Sequence, residues 1–379
     1  MYNKSIISKI IPTLSFSFPY DIDDYAEHMY FENFHKHTDN SNWGLADSGE
    51  TIDAYINKIK DIDSKCLFSG EHGWQGDHIS VYDTAEKVGL KYRHSSEVYW
   101  VKDRLEQDRS NCHMIIVAKT AKGRKRLNYI LSLANVEGFY GRPRIDLQLL
   151  LETDPNDFIV TSACVAGWKY DDADEIWLKI ANHFKNNFFF ELQYHLTSVQ
   201  MNLNKRILKL AEENNIQIIA GLDSHYISDD GKVKRDMILK YKKTEYPDED
   251  GWYMDFPSVD VVIQRFKEQG VLTDEQIYRA IMNTNIFVNE CEEIVLNKNF
   301  KIPNIYHDLS YEQRVKKYHT ILNEAYKKEP VKSKERVEGV RKEAHEVTSA
   351  KVVDYFLFNH ELMKLAKEKY GGVLTTTSR

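Results

Sequence analysis

The chain has 379 residues, of which 42% are hydrophobic and 29% charged, and its net charge is −7. This balance is typical of a globular protein and excludes a collagen-like or intrinsically disordered chain. Its four cysteines form no CxxC pair, which argues against a zinc ribbon or a disulfide scaffold. No uninterrupted apolar run approaches the roughly 20 residues of a membrane-spanning helix. We therefore expect a soluble, cytoplasmic protein.

The charge is unevenly distributed along the chain. Residues 301–379 carry 16 Lys and Arg against 11 Asp and Glu, a net charge of +5. Because the whole chain has a net charge of −7, the first 300 residues carry −12. An acidic body binds phosphate groups poorly unless bound cations invert the local field. The basic C-terminal part is either a surface that follows a nucleic-acid backbone or a set of solvated helix faces.

Short β-rich runs alternate with segments of helical periodicity. The predicted strands are residues 30–35, 66–70, 92–100, 113–118, 158–163, 188–194 and 216–222. The predicted helices between them are residues 50–61, 81–88, 121–134, 171–184 and 198–213. This alternation indicates parallel strands with crossover helices, and so an α/β architecture. Seven strands suit a closed barrel at least as well as an open doubly wound sheet.

The C-terminal part has a different pattern. A boundary is expected at residues 295–310, where Asn297, Asn299 and Pro303 interrupt the alternation. Charged helical stretches follow at 311–328 and 333–348. A last helix at 352–369 ends before two glycines, a common helix terminator.

Candidate metal ligands recur at the ends of the predicted strands. His35 and His37 are two residues apart at the end of a strand, so their side chains point the same way. An HxH pair alone is weak evidence, because two surface histidines are the more common explanation. Similar groups lie in or beside the later strands, namely His72, Glu97, His113, Cys164, Asp223 and His225.

Together these residues predict a metal site, although each has a structural explanation when taken alone. In a barrel of parallel strands, the carboxyl ends converge on one face, where active sites are built. Imidazole, carboxylate and thiolate groups suit Zn²⁺, Mn²⁺ or Fe²⁺ better than Ca²⁺. Taken singly, Glu97 fits an ion pair and Cys164 a small core residue equally well.

The motifs around these residues resemble those of the PHP (polymerase and histidinol phosphatase) domain of bacterial DNA polymerase III alpha subunits. The matching segments, in order, are residues 34–38, 71–73, 97–99, 113–119, 162–167 and 223–226. Residues 137–146, EGFYGRPRID, look like the signature that separates polymerase PHP domains from free-standing histidinol phosphatases. Residues 352–379 are similar to the start of the polymerase palm. The amino-acid sequences of the matched motifs resemble those of phage proteins more than those of chromosomal ones.

The resemblance implies a fold and a set of ligands. The fold would be a distorted (β/α)7 barrel over residues 29–295, preceded by a segment at 1–28 and followed by a linker and an incomplete, mostly helical palm at 296–379. Its metal ligands would be His35, His37, Asp47, His72, Glu97, His113, Cys164, Asp223 and His225. Asp39 is the alternative to Asp47, because the stretch 42–46 lengthens the usual spacing. Such a site would hold two or three divalent ions (Zn, Mn or Fe).

The resemblance also implies an activity and partners. The predicted reaction is phosphodiester hydrolysis by a metal-bound hydroxide, as 3′→5′ exonuclease proofreading at a DNA primer end. The family's catalytic polymerase aspartates lie beyond residue 379, so the chain would work with the remaining polymerase, as a truncated or a naturally split protein. Two alternatives stay open: a structural metal-binding domain that supports polymerase assembly, and a free-standing PHP phosphatase.

Overall fold

A computed structural model describes residues 31–43, 47–243, 251–299 and 301–372. The chain separates into two compact units, Met1–Val295 and Leu296–Arg379. The predicted N-terminal segment 1–28 and the last residues of the palm-like motif, 373–379, lie outside the described residues. Within the described ranges, no helix has the length and apolar character needed to cross a membrane.

The first unit is a mixed α/β structure with two sheets. The strands are β1 (Cys66–Phe68), β2 (Lys91–Arg93), β3 (Ser95–Val101), β4 (Cys112–Ala118), β5 (Arg144–Asp146), β6 (Phe158–Thr161), β7 (Phe188–Leu192) and β8 (Gln217–Ala220). β1 pairs with β2, and the others form one sheet in the order β5-β3-β4-β6-β7-β8. Isolated bridges join Lys36 to Ser224 and His72 to Glu97. These pairings do not form a continuous ring among the described strands, so the closed barrel stays a prediction.

Strand β4 runs antiparallel to both of its neighbours, β3 and β6, whereas β3–β5, β6–β7 and β7–β8 are parallel pairs. The prediction of uniformly parallel strands is therefore wrong for β4. Residues 102–111 connect β3 to β4 without a helix, and a parallel neighbour needs a longer crossover connection. Because of this reversal, the beginning of β4 lies at the same edge of the sheet as the end of β6.

Two strand predictions near the N-terminal motifs are also corrected. Residues 92–100 form two strands, β2 and β3, which separate at His94 and join different sheets. The His94 ring lies at this break, with its nitrogens 2.6 Å from Tyr92 Oη and 2.8 Å from Asn128 Oδ1. Residues 31–35 form no strand, and the only pairing of this segment among the described residues is the bridge from Lys36 to Ser224. The backbone turns sharply just before Ser224, at Asp223, whose φ of 52° is left-handed.

The described residues form thirteen α-helices, ten in the first unit and three in the second. They are α1 (Ile52–Asp61), α2 (His78–Val88), α3 (Ala121–Val136), α4 (Leu147–Leu151), α5 (Ala173–Phe184), α6 (Ser198–Asn214), α7 (Asp229–Lys242), α8 (Val259–Gln269), α9 (Asp274–Met282), α10 (Ile286–Asn289), α11 (Tyr311–Lys327), α12 (Lys334–Ser349) and α13 (Val353–Tyr370). Threonine side chains at Thr120 and Thr197 accept hydrogen bonds from backbone N–H groups in the first turns of α3 and α6. Such caps fix where a helix begins.

Two apolar clusters lie on opposite faces of the six-stranded sheet. Val98 and Trp100 belong to the larger cluster, and Ile115 belongs to the smaller one. Side chains alternate across a strand, and Glu97 lies directly opposite Ile115 in the β3–β4 pair. Glu97 and Tyr99 therefore face the side of the smaller cluster, which is the side where the predicted ligands meet.

The second unit contains α11, α12 and α13 in its described residues. Its small core consists of Tyr318, Ala344, Val353 and Leu357. Arg314 holds α11 to α13 through two hydrogen bonds to the Asp354 carboxylate, of 2.6 and 3.2 Å. The assignment of this unit to the start of a palm stays a prediction.

Candidate metal centre

His35 and His37 enter the site from one short segment of main chain. His37 N–H donates to Ser224 O at 2.7 Å, and Ser224 N–H donates to His35 O at 3.1 Å. These bonds bring the HxH segment beside Asp223, whose Oδ1 lies 3.1 Å from His35 Nε2 and 3.2 Å from His37 Nε2. A left-handed aspartate at such a position is a form of backbone strain that is common at functional sites.

Glu97 is the centre of the cluster. Its Oε1 lies 3.3 Å from His35 Nε2 and 2.7 Å from His113 Nδ1. Its Oε2 lies 3.3 Å from His37 Nε2 and 2.5 Å from His72 Nδ1. The side chain is 1% exposed. One buried carboxylate therefore contacts four imidazoles that come from three separate parts of the chain.

Asp47 joins the cluster from the opposite side. Its Oδ2 lies 3.3 Å from His72 Nε2 and 3.5 Å from His225 Nε2. The His37 and His72 rings stack with their centroids 3.9 Å apart. Asp39, the alternative ninth ligand, is exposed and makes a side-chain contact with Asn40. The geometry therefore favours Asp47 over Asp39.

Cys164 lies at the edge of the cluster. Its Sγ is 3.6 Å from His113 Nδ1, at the reversed beginning of β4. Ala163, just before it, has a left-handed φ of 52°, which turns the chain after β6. Burial, with the charges of Asp223 and Glu97, raises the pKa of the Cys164 thiol well above its usual value. A nearby cation would oppose that effect and favour the thiolate.

The cluster contains three overlapping sets of ligand atoms, each within 4.8 Å of one another. They are His37, His72 and His225; His35, His37 and Glu97; and His72, Glu97 and His113. Zinc and similar ions bind nitrogen and oxygen at roughly 2.0–2.2 Å, so two ligands of one ion lie about 3–3.5 Å apart. Many of the contacts above fall in that range. The nine predicted residues thus lie together in one cluster.

Unsatisfied polar atoms support the same interpretation. Although they lie close together, several buried atoms of the cluster make no hydrogen bond within the part of the chain that the structure describes, namely His35 Nε2, His37 Nε2, Asp47 Oδ1, both ring nitrogens of His72, Glu97 Oε2 and Asp223 Oδ1. Burying so many polar atoms without hydrogen bonds is costly. These residues therefore fit divalent ions, which would supply the missing partners.

Electrostatics within the cluster point the same way. Burial lowers the pKa of His35, but the surrounding carboxylates, led by Glu191 and Asp223, raise it well above its ordinary value. Burial opposes ionisation of Glu97, yet neighbouring imidazoles, led by His113, hold its pKa well below the usual range. The field of the site therefore keeps its carboxylates ionised and favours positive charge among them.

Comparison with known proteins agrees with the site. Residues 33–195 match the PHP domain family. Over these residues the chain is similar to PHP domains. It is 31% identical over 223 residues to the DNA polymerase III subunit alpha of Borreliella burgdorferi, covering 55% of this chain and 19% of that protein.

Other relatives extend this similarity. The chain is 29% identical over 235 residues to the Aquifex aeolicus alpha subunit, covering 56% of this chain and 20% of that protein. With the Campylobacter jejuni alpha subunit it shares 26% identity over 385 residues, covering 89% of this chain and 31% of that protein. The chain thus spans less than a third of these relatives and is similar to the N-terminal region of polymerase III alpha subunits.

A second group of residues contacts the predicted ligands from outside the cluster. Glu191 Oε1 lies 2.6 Å from His35 Nδ1, and its other oxygen accepts a bond from Thr161 Oγ1 at 2.7 Å. His37 Nδ1 lies 3.1 Å from Ser41 Oγ, which in turn donates to Glu71. Outer partners of this kind fix the histidine tautomer and leave Nε2 free for an ion.

Sequence reasoning missed Glu191, although a signal was present. It is an acidic residue in the otherwise apolar strand Phe188–Leu192, and it is 1% exposed. A buried carboxylate needs a partner, so the position of Glu191 in this strand indicates a functional or paired residue. His195 follows the same strand but is structural, because Nε2 lies 3.2 Å from Gln193 Oε1 and Nδ1 accepts a bond from the Tyr253 N–H.

The variant Glu191→Gln is expected to weaken metal binding by about 10- to 100-fold, the usual effect of losing an outer-shell partner. The amide retains size but no longer provides the negative charge that makes His35 a better ligand. Affinity would be measured by competition with a chromogenic chelator. Glu268→Gln, on the exposed side of α8, is the matched control. Equal affinity of Glu191→Gln and wild type would show that Glu191 does not support the site.

Proposed function

We propose that this chain is the N-terminal part of a DNA polymerase III alpha-like protein, and that its PHP domain hydrolyses phosphodiesters at a DNA 3′ end. The proposed cofactors are two or three divalent ions, with zinc, manganese and iron as candidates. The observation that carries the proposal is the overlap of three ligand sets through His37, His72 and Glu97. Shared ligands hold ions close together, as two-metal phosphoesterase chemistry requires.

The chemistry divides between the ions and the protein. Closely spaced divalent ions, when bound, lower the pKa of water and polarise phosphate oxygens. Glu97 and Asp223 supply the negative charge that holds such ions. Seven of the nine predicted ligands are less than 10% exposed, and the two exceptions are the side chains of His113 and Asp223. This burial limits the access of water to the ligand atoms.

Substrate access is proposed on the side of His113 and Asp223. Their side chains are 15% and 16% exposed, the largest values among the ligands. A phosphodiester that approaches there meets imidazole and carboxylate ligands at the edge of the cluster.

The proposed partners follow from the relatives, which are DNA polymerase subunits. They are a DNA primer 3′ end and the polymerase parts that follow the matched region in those proteins, as the same or a separate polypeptide. Residues 296–379 would be the linker and first helices of the palm, and no polymerase chemistry is expected from this chain alone. We place the protein in the cytoplasm of a bacterial or phage-infected cell.

The test is a 5′-labelled primer with a mismatched 3′ end, incubated with chain reconstituted in Mn²⁺, Zn²⁺ or Mg²⁺. We expect stepwise shortening from the 3′ end that is lost in Asp223→Asn and retained in Asp236→Asn, a control on the surface of α7. Metal-loaded protein that leaves every primer intact would contradict the proposal and favour a structural metal site, which the burial of the ligands also suits. Hydrolysis of p-nitrophenyl phosphate without action on DNA would indicate a free-standing phosphatase instead.

A further inference from the structure

The open side of the metal centre is bordered by a surface of cations and aromatic rings. We call it the rim, and it consists of Tyr99, Arg109, Tyr140, Arg142 and Lys169. None of them was predicted as a ligand, and no step proposed above uses them. Tyr99 lies in β3, Arg109 in the loop between β3 and β4, and Lys169 between β6 and α5, while Tyr140 and Arg142 lie in the stretch 137–146.

Tyr99 connects the rim to the metal centre. It lies on the same face of β3 as Glu97 and directly opposite His113 in the β3–β4 pair. Its ring centroid is 5.2 Å from that of His113 and 6.0 Å from that of His72. Its hydroxyl has no hydrogen-bond partner among the described residues, although the side chain is only 3% exposed. A hydroxyl without a partner beside the predicted ligands can donate a hydrogen bond to a phosphate that binds there.

Arg142 lies over the outer face of the same ring. Its guanidinium carbon is 5.8 Å from the Tyr99 ring centroid. The turn that carries it is closed by the bridge between Phe139 and Pro143. Gly138 permits this turn, because a Cβ there would lie 2.0 Å from Arg144 O. The close approach of two main-chain segments therefore fixes Arg142 beside the ligand cluster.

Arg144 positions the rest of the rim. Its buried guanidinium donates to Gly138 O, Glu106 O, Asp108 O and Arg104 O at 2.6–2.9 Å. It thereby ties residues 102–111 to the turn at 138–143. Arg109 then lies over the Tyr140 ring, 5.0 Å from its centroid.

The rim also contains positive charge that the protein does not neutralise. Other cations of these loops are paired, such as Arg104 with Glu137 and Lys102 with Asp172. Arg109 and Lys169 have no carboxylate partner among the described residues, and Lys169 Nζ donates only to the carbonyls of Ser110 and Asn111. Unpaired cations on an acidic protein mark a place where an anionic partner can bind.

We infer that the rim binds single-stranded DNA and leads its 3′ end to the metal centre. Cations that follow the phosphate backbone, together with aromatic rings on which bases stack, are the usual means of binding single strands without sequence preference. Arg142 and the Tyr99 hydroxyl contact the phosphate nearest the ions, and Arg109 with Tyr140 holds the strand farther out. The inference rests on the proposed function, because it names the strand that reaches the site.

The test measures binding and not hydrolysis. The probe is a 5′-fluorescein 12-nucleotide oligodeoxythymidylate with phosphorothioate linkages, which resist cleavage, and its anisotropy is followed at several NaCl concentrations with the full chain. Arg109→Gln/Arg142→Gln is expected to bind at least about ten times more weakly. It should also lower the slope of log K against log salt by about 1.4, since each lost phosphate contact accounts for roughly 0.7. Tyr140→Leu should weaken binding without changing the slope, because stacking releases no counterions.

Lys205→Gln/Lys209→Gln, which removes two exposed lysines from α6, is the control and should bind like wild type. Metal content and melting temperature verify that each variant is folded. An unchanged affinity and slope in Arg109→Gln/Arg142→Gln would overturn the inference, and so would an equal loss of binding to a blunt duplex. Wild type that binds the probe but never shortens a primer would contradict the proposed function and leave the rim supported.

Discussion

Replacing Glu97 with Gln is expected to abolish phosphodiester hydrolysis, with a loss of at least about 1,000-fold. Glu97 contacts four imidazoles of the cluster, so its carboxylate is the group most widely shared among the ligand sets. Bound ions stabilise the transition state by several kcal/mol, and about 1.4 kcal/mol corresponds to a tenfold change in rate. The measurement is the single-turnover rate on a 3′-mismatched primer at a metal concentration that just saturates the wild type.

The control for this variant is Glu213→Gln, which changes an exposed glutamate of α6 in the same way. It should retain the wild-type rate. Metal content must be measured on both proteins, because the account attributes the loss to weakened binding of the ions. A Glu97→Gln protein that hydrolyses the primer at a rate close to wild type would show that the chemistry lies elsewhere.

Removing the metal is expected to lower the melting temperature by about 6 °C. Ions that bind only the folded state stabilise it by roughly 4 kcal/mol when present at 1,000 times Kd, and an unfolding entropy of about 2.1 cal/mol/K per residue makes each kcal/mol correspond to about 1.6 °C for the first unit, Met1–Val295. The structural reason is that Asp47, His72 and Glu97 bury polar atoms that have no hydrogen-bond partner among the described residues. Differential scanning calorimetry before and after chelation would measure the shift.

Restoring the metal should return Tm to its original value. Glu97→Gln serves as the control here, since a chain that cannot hold the ions should not respond to the chelator. An identical Tm in the chelated and reconstituted wild type would contradict the account of the buried ligands. It would mean that their burial is stabilised by the protein alone.

Much of the fold could be predicted because local patterns decide it. The helical periodicity of residues 198–213 corresponds to α6, and that of 121–134 to α3, with ends shifted by a residue or two. Capping threonines and buried apolar faces act over short distances, so a single sequence contains the information.

Strand direction could not be predicted, because it depends on partners distant in the sequence. The antiparallel course of β4 follows from the loop 102–111, which Arg144 holds through carbonyls of residues 104, 106 and 108. Nothing in the local pattern of either segment indicates that contact. The prediction that His113 joins the site nevertheless agrees with its position, because the reversal brings the beginning of β4 to the ligand edge.

The site shows the same division. Asp47 could be chosen only by its spacing from the HxH pair, and its contacts with His72 and His225 emerge from the fold. Glu191 could have been found as the one acid in a buried apolar strand. The rim could not be found from sequence, because Arg142 and Tyr99 become neighbours through the pairing of β3 with β5.

Metal content by inductively coupled plasma mass spectrometry tests the central claim most directly. The wild-type protein would be compared with the double variant His35→Ala/Asp223→Ala, which removes two predicted ligands that lie 3.1 Å apart. The account predicts two or three equivalents of zinc, manganese or iron in the wild type and their loss in the double variant. Wild-type protein that holds no metal, even after reconstitution, would contradict it.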